Sequence, residues 1–378
     1  MNIQMIDLQS QYKRLQDEID AAMKEVISSA SFINGPQVNT FCTRLAAYLN
    51  SPHVIPCGNG TDAIRLALSA LNVQSGDEII IPAFTYIAAA EMVASLGLIP
   101  VLVDVDADTF NINAELIERA ITRQTRAIIV VHLFGQACDM EPVLKIAEKY
   151  KISIIEDNAQ SLGADYTFSD GTVKKAGTIG HIGTTSFFPT KPLSCYGDGG
   201  AVLTSDGEPA ERIRMLANHG QTKKYHHKMI GCNSRLDTIQ AAILNVKLNY
   251  MDEFTRARQK VAQHYDRTLS KVSEIKIPAK SSFSTHIYHQ YTVRVINEQR
   301  DALQAYLKEC GIPSIVYYPF SVNEQEGYKW VARVADNVQV TTRLCKEALS
   351  LPIHTEMTNE VMLFIADSVV RFFRKYRR

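Results

Sequence analysis

A chain of 378 residues that is 46% hydrophobic and 21% charged is long enough for two cores and too apolar to be disordered. Its formal net charge of zero leaves no electrostatic footprint for nucleic acid or an anionic membrane surface. Its 7 cysteines form no CxxC pair, which excludes an evident disulfide framework or metal site, and no apolar run nears the roughly 20 residues that span a bilayer.

The opening residues, MNIQMIDLQSQYKRLQDEI, lack the apolar core and cleavage site of a signal peptide, so a reduced, cytoplasmic protein is expected. Residues 10–29 carry Leu15, Ile19, Met23 and Val26 on one helical stripe, and a second helix is expected after Pro36. Strands at Glu78–Ile81, Pro100–Val105, Arg126–His132 and Ile152–Glu156 then alternate with helices over 86–96, 113–121 and 139–149. This rhythm predicts βαβ units and a mainly parallel sheet covered on both faces. The glycine-rich stretch 160–200 breaks the rhythm, with short strands expected at Thr184–Phe188 and Gly200–Thr204. One long helical pattern runs from Arg235 to Leu269, and the domain change is placed inside it, near 250. Beyond it lie a strand at 289–296, a helix at 300–310, a strand near 314–317 and closing helices at 338–350 and 358–375. The fold class expected is α/β, with a large domain over 1–250 and a smaller α+β domain over 251–378.

Four segments hold residues that could carry chemistry. Gly58-Asn59-Gly60-Thr61-Asp62-Ala63 precedes a helix and reads either as a capping turn or as an anion cradle at a helix N-terminus. Glu156-Asp157-Asn158-Ala159-Gln160 ends a buried strand, where ligands of open α/β sheets sit, although loop-start capping would look the same. Lys191 stands within SFFPTKPL at a strand end. Burial there would lower its pKa and make it a nucleophile toward carbonyls. Gly231-Cys232-Asn233-Ser234-Arg235 is a polar turn before a helix; His219, Tyr225, His226 and His227 lie ahead of it, at spacings that fit a substrate loop better than a metal site. A doubly wound dehydrogenase is disfavoured, because no GxGxxG follows a clear strand.

Taken together, NGTDA at 59–63, PAFTYIAAA at 82–90, EDNAQSLGA at 156–164, SFFPTKPLSCYGDGGA at 186–201 and NSRLDTIQAAIL at 233–244 resemble the DegT/StrS family of sugar aminotransferases, in order and spacing, over nearly the whole chain. The resemblance implies a fold-type I aminotransferase, pyridoxal 5′-phosphate as cofactor and Lys191 as the residue that binds it covalently. It further implies Asp157 on the pyridinium nitrogen, Gln160 on the ring hydroxyl and Tyr86 against the ring face. Gly60, Thr61 and Ser186 would hold the phosphate, with Asn233 from the second subunit of a homodimer. Arg235, Tyr317, Tyr318 and His219 are candidates for the substrate. Dehydratases of the family carry His in place of the lysine, so Lys191 points away from them. The likeness is greatest to enzymes that aminate UDP-linked 3-oxo sugars, with L-glutamate as donor, in bacterial surface polysaccharide or lipopolysaccharide synthesis. The subgroup acting on UDP-2-acetamido-2-deoxy-3-oxo-glucuronate has His-Tyr-Pro where this chain has Tyr317-Tyr318-Pro319, so a neutral UDP-3-oxo-N-acetylglucosamine or a dTDP-linked oxo sugar stays open.

Overall fold

The structure is a computed structural model and describes residues 3–376. Two helices open it, α1 (Leu8–Ser29) and α2 (Pro36–Leu49). Asp7 caps α1 by accepting the Ser10 N–H at 2.9 Å, and Pro36 begins α2, where a missing N–H costs nothing. Leu15, Ile19 and Val26 of the expected stripe are buried, and Met23 is partly so.

Strands and helices then alternate: β1 (His53–Cys57), α3 (Gly60–Ala70), β2 (Glu78–Pro82), α4 (Ala88–Ser95), β3 (Ile99–Val103), α5 (Ala114–Ala120), β4 (Thr125–Val131), α6 (Met140–Tyr150) and β5 (Ser153–Asp157). The glycine-rich stretch supplies a small hairpin, β6 (Asp165–Thr167) and β7 (Val173–Lys175), before β8 (Ile182–Ser186) and β9 (Gly200–Thr204). Next come α7 (Gly207–Ala217) and an exposed hairpin of β10 (Gln221–Lys223) and β11 (His226–His227). The helix expected over 235–269 is two, α8 (Thr238–Leu248) and α9 (Met251–Leu269). The break falls at residues 249–250, where Asp252 and Glu253 start a new first turn that suits the helix dipole. β12 (Ile275–Lys276), β13 (Tyr291–Val295), α10 (Arg300–Glu309), β14 (Arg333–Val334), α11 (Gln339–Glu347), β15 (Ala348–Leu351) and α12 (Asn359–Tyr376) complete the chain.

Eight strands form one sheet in the order β1-β9-β8-β5-β4-β2-β3-β14. β9 runs against both neighbours, and the pairs from β8 to β14 are parallel. Helices cover both faces, so the central strands are apolar without alternation: Ile79, Ile80 and Ile81 of β2 and Ile128, Ile129 and Val130 of β4 are all 0% exposed. Each such side chain contributes about 1.5–3 kcal/mol through burial. α3, α4 and α7 pack their cores on one face, and α5 and α6 on the other.

The strands β12, β13 and β15 make an antiparallel sheet over a second core, shared with α9, α10 and α12 and reached by Ile3 from the N-terminus. β14, late in sequence, adds to the large sheet beside β3. Two expectations need correction. Residues 314–317 are not a strand; only Ile315 bridges Ser350, because Pro313 and Pro319 bracket the segment and offer no N–H to a ladder. The helix expected over 338–350 ends at Glu347, and Ala348–Leu351 is a fully buried strand on β13. A short apolar run buried on both faces does not reveal its type by periodicity.

Candidate active site

The carboxyl ends of the parallel strands β4, β5 and β8 lie side by side, and the N-terminus of α3 presses on the end of β8 at Ser186, the place where an open sheet offers a crevice. β8 ends at Ser186, and its continuation turns tightly: the Lys191 N–H donates to the Phe188 carbonyl at 2.8 Å, with Pro189 preset for such a turn. Phe187, Leu193 and Cys195 anchor this loop in the core, each 0% exposed, so Lys191 is presented on a pinned support. Lys191 is partly buried, and burial pulls its pKa down against the opposing charge of Asp157. Asp157 ends β5. Burial pushes its pKa up, while the Ala159 N–H at 3.0 Å, Lys191 and His132 pull the other way. The two charges feel each other without a direct ion pair within 4.0 Å.

Glu156, one residue earlier, points to the other side of the strand and is completely buried. It is a carboxylate with four donors: His132 Nε2 and the Gly177 N–H, both at 2.8 Å, the Ile179 N–H at 2.6 Å and the Gly180 N–H at 2.5 Å. Burial alone would raise its pKa, but His132 and these amides hold it below the usual value. His132 Nδ1 accepts the Cys138 N–H at 3.0 Å, and the His132 N–H donates to the Asp157 carbonyl, also at 3.0 Å. The end of β5 is therefore locked from behind.

Gln160 is buried, with Oε1 accepting the Phe134 N–H at 2.9 Å and Nε2 donating to the Tyr318 hydroxyl at 3.2 Å. The Tyr318 ring lies 6.4 Å from that of Tyr86, which is 61% exposed and free to meet a ligand. Tyr317 packs on Tyr318 at 5.8 Å between centroids. At the other end, Asn59 caps α3 by accepting the Asp62 N–H at 2.7 Å. The N–H groups of Gly60 and Thr61 have no partner within the helix. Gly60 is in close contact with β8: a Cβ there would stand 2.6 Å from Ser186 Cβ. Gly200 is equally tight against Asn59 and Gly60.

Tyr86, Gln160 and Tyr318 are linked to one another and, through the charge of Asp157, to Lys191, while Gly60, with Thr61 beside it in α3, presses on Ser186 at the start of the loop that carries Lys191. Asn233, Arg235 and His219 form a separate group. Arg235 Nε donates to Asn233 Oδ1 at 2.7 Å, and the His219 N–H donates to the Cys232 carbonyl at 2.8 Å. Asn233 and His219 are exposed, and none of the three makes a hydrogen bond, ion pair or ring contact to the Lys191 cluster. Ser234 carries this turn onto α3, donating to Asp62 Oδ2 at 2.6 Å and accepting the Gly58 N–H at 2.9 Å. The sequence reading missed His132. His132 closes a strand written off as core, and only the adjacent acids of β5 hinted at a partner.

The donor set suits a flat cationic ring with an aldehyde and an anionic tail: an amine and a carboxylate face each other, an aromatic wall stands beside them, and unspent amides lie at a helix start. Residues 13–370 match the DegT/DnrJ/EryC1/StrS aminotransferase family, and the chain belongs to that family. It is an aminotransferase dependent on pyridoxal 5′-phosphate. It is 45% identical to the UDP-2-acetamido-2-deoxy-3-oxo-D-glucuronate aminotransferase of Pseudomonas aeruginosa over 352 residues, 93% of this chain and 95% of that one. It is 42% identical to a pleiotropic regulatory protein of Geobacillus stearothermophilus over the whole of both chains. The crystal structure of an aminotransferase of the family from Brucella abortus superposes with a TM-score of 0.93 at 38% identity, covering 98% of this chain and 99% of that one. Among the described residues no helix is long and apolar enough to cross a membrane.

Proposed function

We propose that the protein transfers an amino group from L-glutamate to C3 of a UDP-linked 3-oxo-N-acetylhexosamine, in the assembly of a bacterial surface polysaccharide. The observation that carries the chemistry is that Lys191, on the pinned loop after β8, lies within electrostatic reach of Asp157 at the end of β5, with the start of α3 pressed against the end of β8. The nucleotide and keto position are supported by likeness to the Pseudomonas aeruginosa enzyme.

Bound pyridoxal phosphate supplies an aldehyde that takes up and releases the amino group, and a ring that spreads negative charge. Lys191 holds it covalently through Nζ and, once freed, moves the proton at the substrate's Cα. Burial favours the unprotonated amine that this task needs. Asp157 binds the positive ring nitrogen, Gln160 the ring hydroxyl, and Tyr86 covers one face. The Gly60 and Thr61 amides and the Ser186 hydroxyl take the phosphate. Asn233 reaches the phosphate from the second copy of a homodimer, and Arg235 contributes to substrate binding. Tyr317, Tyr318 and His219 are assigned to the sugar. The Lys191 and Asp157 pair also argues for turnover rather than regulation alone.

Side-by-side assays with glutamate and UDP- or dTDP-linked 3-oxo and 4-oxo sugars test the reading. Formation of 2-oxoglutarate with the UDP-3-oxo sugar is expected. Turnover confined to a dTDP-linked or 4-oxo sugar overturns the substrate assignment.

A further inference from the structure

Helix α8 carries a second buried lysine. Lys247 is 1% exposed and pairs with no carboxylate among the described residues. Its amine faces the turn that follows Lys191. Nζ donates to Ser194 Oγ at 3.1 Å and stands 4.4 Å from the centre of the Tyr196 ring. Gln240, seven residues earlier and so on the same face of the helix, holds the same turn. Its Oε1 accepts the Tyr196 N–H at 2.9 Å, and a Cβ on Gly197 would lie 3.0 Å from its Nε2. Tyr12 of α1 packs edge-on against the Tyr196 ring, with centroids 6.0 Å apart.

The turn is a short, stiff extension of the cofactor loop. Ser194 lies three residues beyond Lys191, across Pro192, whose φ is fixed by its ring, and Leu193, which is 0% exposed. The loop closes on itself where the Cys195 N–H donates to the Phe187 carbonyl at 2.9 Å and the Phe187 N–H to the Gly199 carbonyl at 2.7 Å. Lys191 therefore stands on a loop held at one end by β8 and at the other by side chains of α8. Burial lowers the Lys247 pKa to about 8 against the opposing pull of Cys195, so the amine is mainly protonated at neutral pH. A buried charge without a counter-ion costs stability that an apolar side chain of the same length would not. What the amine contributes lies in where it holds the turn.

We propose that Lys247 is a positioning residue for Lys191: through its hydrogen bond to Ser194 and its cation–π contact with Tyr196 it fixes the turn at 194–196, and so sets where the Lys191 amine stands when it moves the substrate's proton. The proposal rests on the reading of Lys191 as the cofactor lysine. Both contacts are directional, so they fix the turn where apolar packing would only fill it. Lys247 touches the turn and not the reacting atoms, so its loss slows the step without changing what binds.

The test compares Lys247→Met, which keeps the length and loses the charge, with Ser194→Ala and with the double variant. In the cofactor-loaded enzyme, Lys247→Met is expected to keep the visible absorption band and the KM for glutamate. The glutamate half-reaction should slow by about ten- to thirtyfold, with a Tm equal to or above that of wild type. Ser194→Ala is expected to lose part of the same factor, and the double variant no more than Lys247→Met alone, since both act through one contact. In the unloaded protein, hydrogen–deuterium exchange read by peptide mass spectrometry should run severalfold faster over residues 187–197 in Lys247→Met and at the wild-type rate in β2 and β4. A Lys247→Met enzyme with a wild-type half-reaction rate overturns the proposal. So does a slowed enzyme whose exchange over 187–197 is unchanged, a double variant in which the two losses multiply in full, or a fall in Tm that spreads faster exchange over the whole chain. A wild-type protein that forms no absorption band with the cofactor overturns the parent reading instead, and the exchange comparison still tests the grip on the turn.

Discussion

Gly60→Ala is the sharpest probe of the phosphate cradle. The added Cβ would stand 2.6 Å from Ser186 Cβ and 3.2 Å from Ser186 Oγ, where ordinary contact begins at 3.4 Å, so about 0.8 Å must open between α3 and β8. The nearest atom is a Cβ fixed to a buried strand, not the end of a flexible side chain, so the helix start has to yield. A displacement of about 1 Å in a positioning group costs on the order of 10²-fold, equivalent to about 2.7 kcal/mol. The fold itself should tolerate the change. Gly60 has no left-handed backbone conformation, and alanine in a helix is favoured over glycine by about 0.5–1 kcal/mol, which offsets part of the strain.

Titration of the unloaded variant with pyridoxal phosphate, read by visible absorbance, should show affinity weakened by about 30- to 100-fold, with a nearly unchanged Tm of the unloaded protein. Adding Ser186→Gly removes the obstructing Cβ along with one phosphate ligand, and should return about a tenfold share of the affinity. Unchanged affinity in Gly60→Ala would refute the cradle. A collapse of Tm that accounts for the lost affinity would refute the separation of site from fold.

Lys191→Ala should abolish covalent attachment: borohydride treatment of the loaded wild type adds the cofactor's mass to the peptide carrying Lys191, and none should be added in the variant. Asp157→Asn should keep the cofactor bound but slow the glutamate half-reaction by on the order of 10²- to 10³-fold in stopped-flow absorbance, since a neutral amide no longer balances the ring charge. Glu156→Gln sets an amide NH2 against two of the four donors and should cost about 3–5 kcal/mol in urea denaturation at neutral pH. The folded-state pKa of Glu156 is depressed, so its contribution is complete above the usual 4.5 and is lost as pH falls below that value. The gap between wild type and Glu156→Gln should therefore narrow in acid; a constant gap would show that Glu156 is not an ionised anchor.

The parallel core was legible because its strands are buried on both faces, so runs such as Ile79–Ile81 and Ile128–Val130 needed no alternation to be seen. β1 and β14 were not. β1 holds Pro56 and lies at the sheet edge, and β14 has two residues whose place beside β3 depends on a chain reversal more than 200 residues later. The glycines at 58 and 60 were visible, but their meaning was not: a capping turn and an anion cradle look the same until Ser186 is found pressed against Gly60.

The same contrast separates the two classes of site residue. Asp157, Gln160, Ser186 and Lys191 lie within 35 residues of one another, and local pattern brings out all four. Tyr318 is a candidate only through the family resemblance, because its place beside Gln160 is set by how the C-terminal part of the chain folds back and not by local pattern. Gln290 joins Phe134, Ile287 joins Gly135, and Gln160 reaches Tyr318, so the loop after β4 is the hinge point at which the two cores share one site. Phe134 holds this place with a positive φ of 58°, a conformation that a bulky residue adopts only when its surroundings enforce it. The enforcement is visible: the Phe134 N–H is spent on the Gln160 side chain and its carbonyl on the Gln290 N–H. Phe134→Gly should therefore relieve the backbone but release the ring from Phe84 and Phe110, whose centroids lie 6.5 and 5.2 Å away. Deleting a buried phenylalanine ring costs about 3–5 kcal/mol, more than the 1–3 kcal/mol of strain that is relieved, so net destabilisation is expected in a urea melt. A stabilised variant would mean that the strained loop, and not the aromatic packing, dominates this junction.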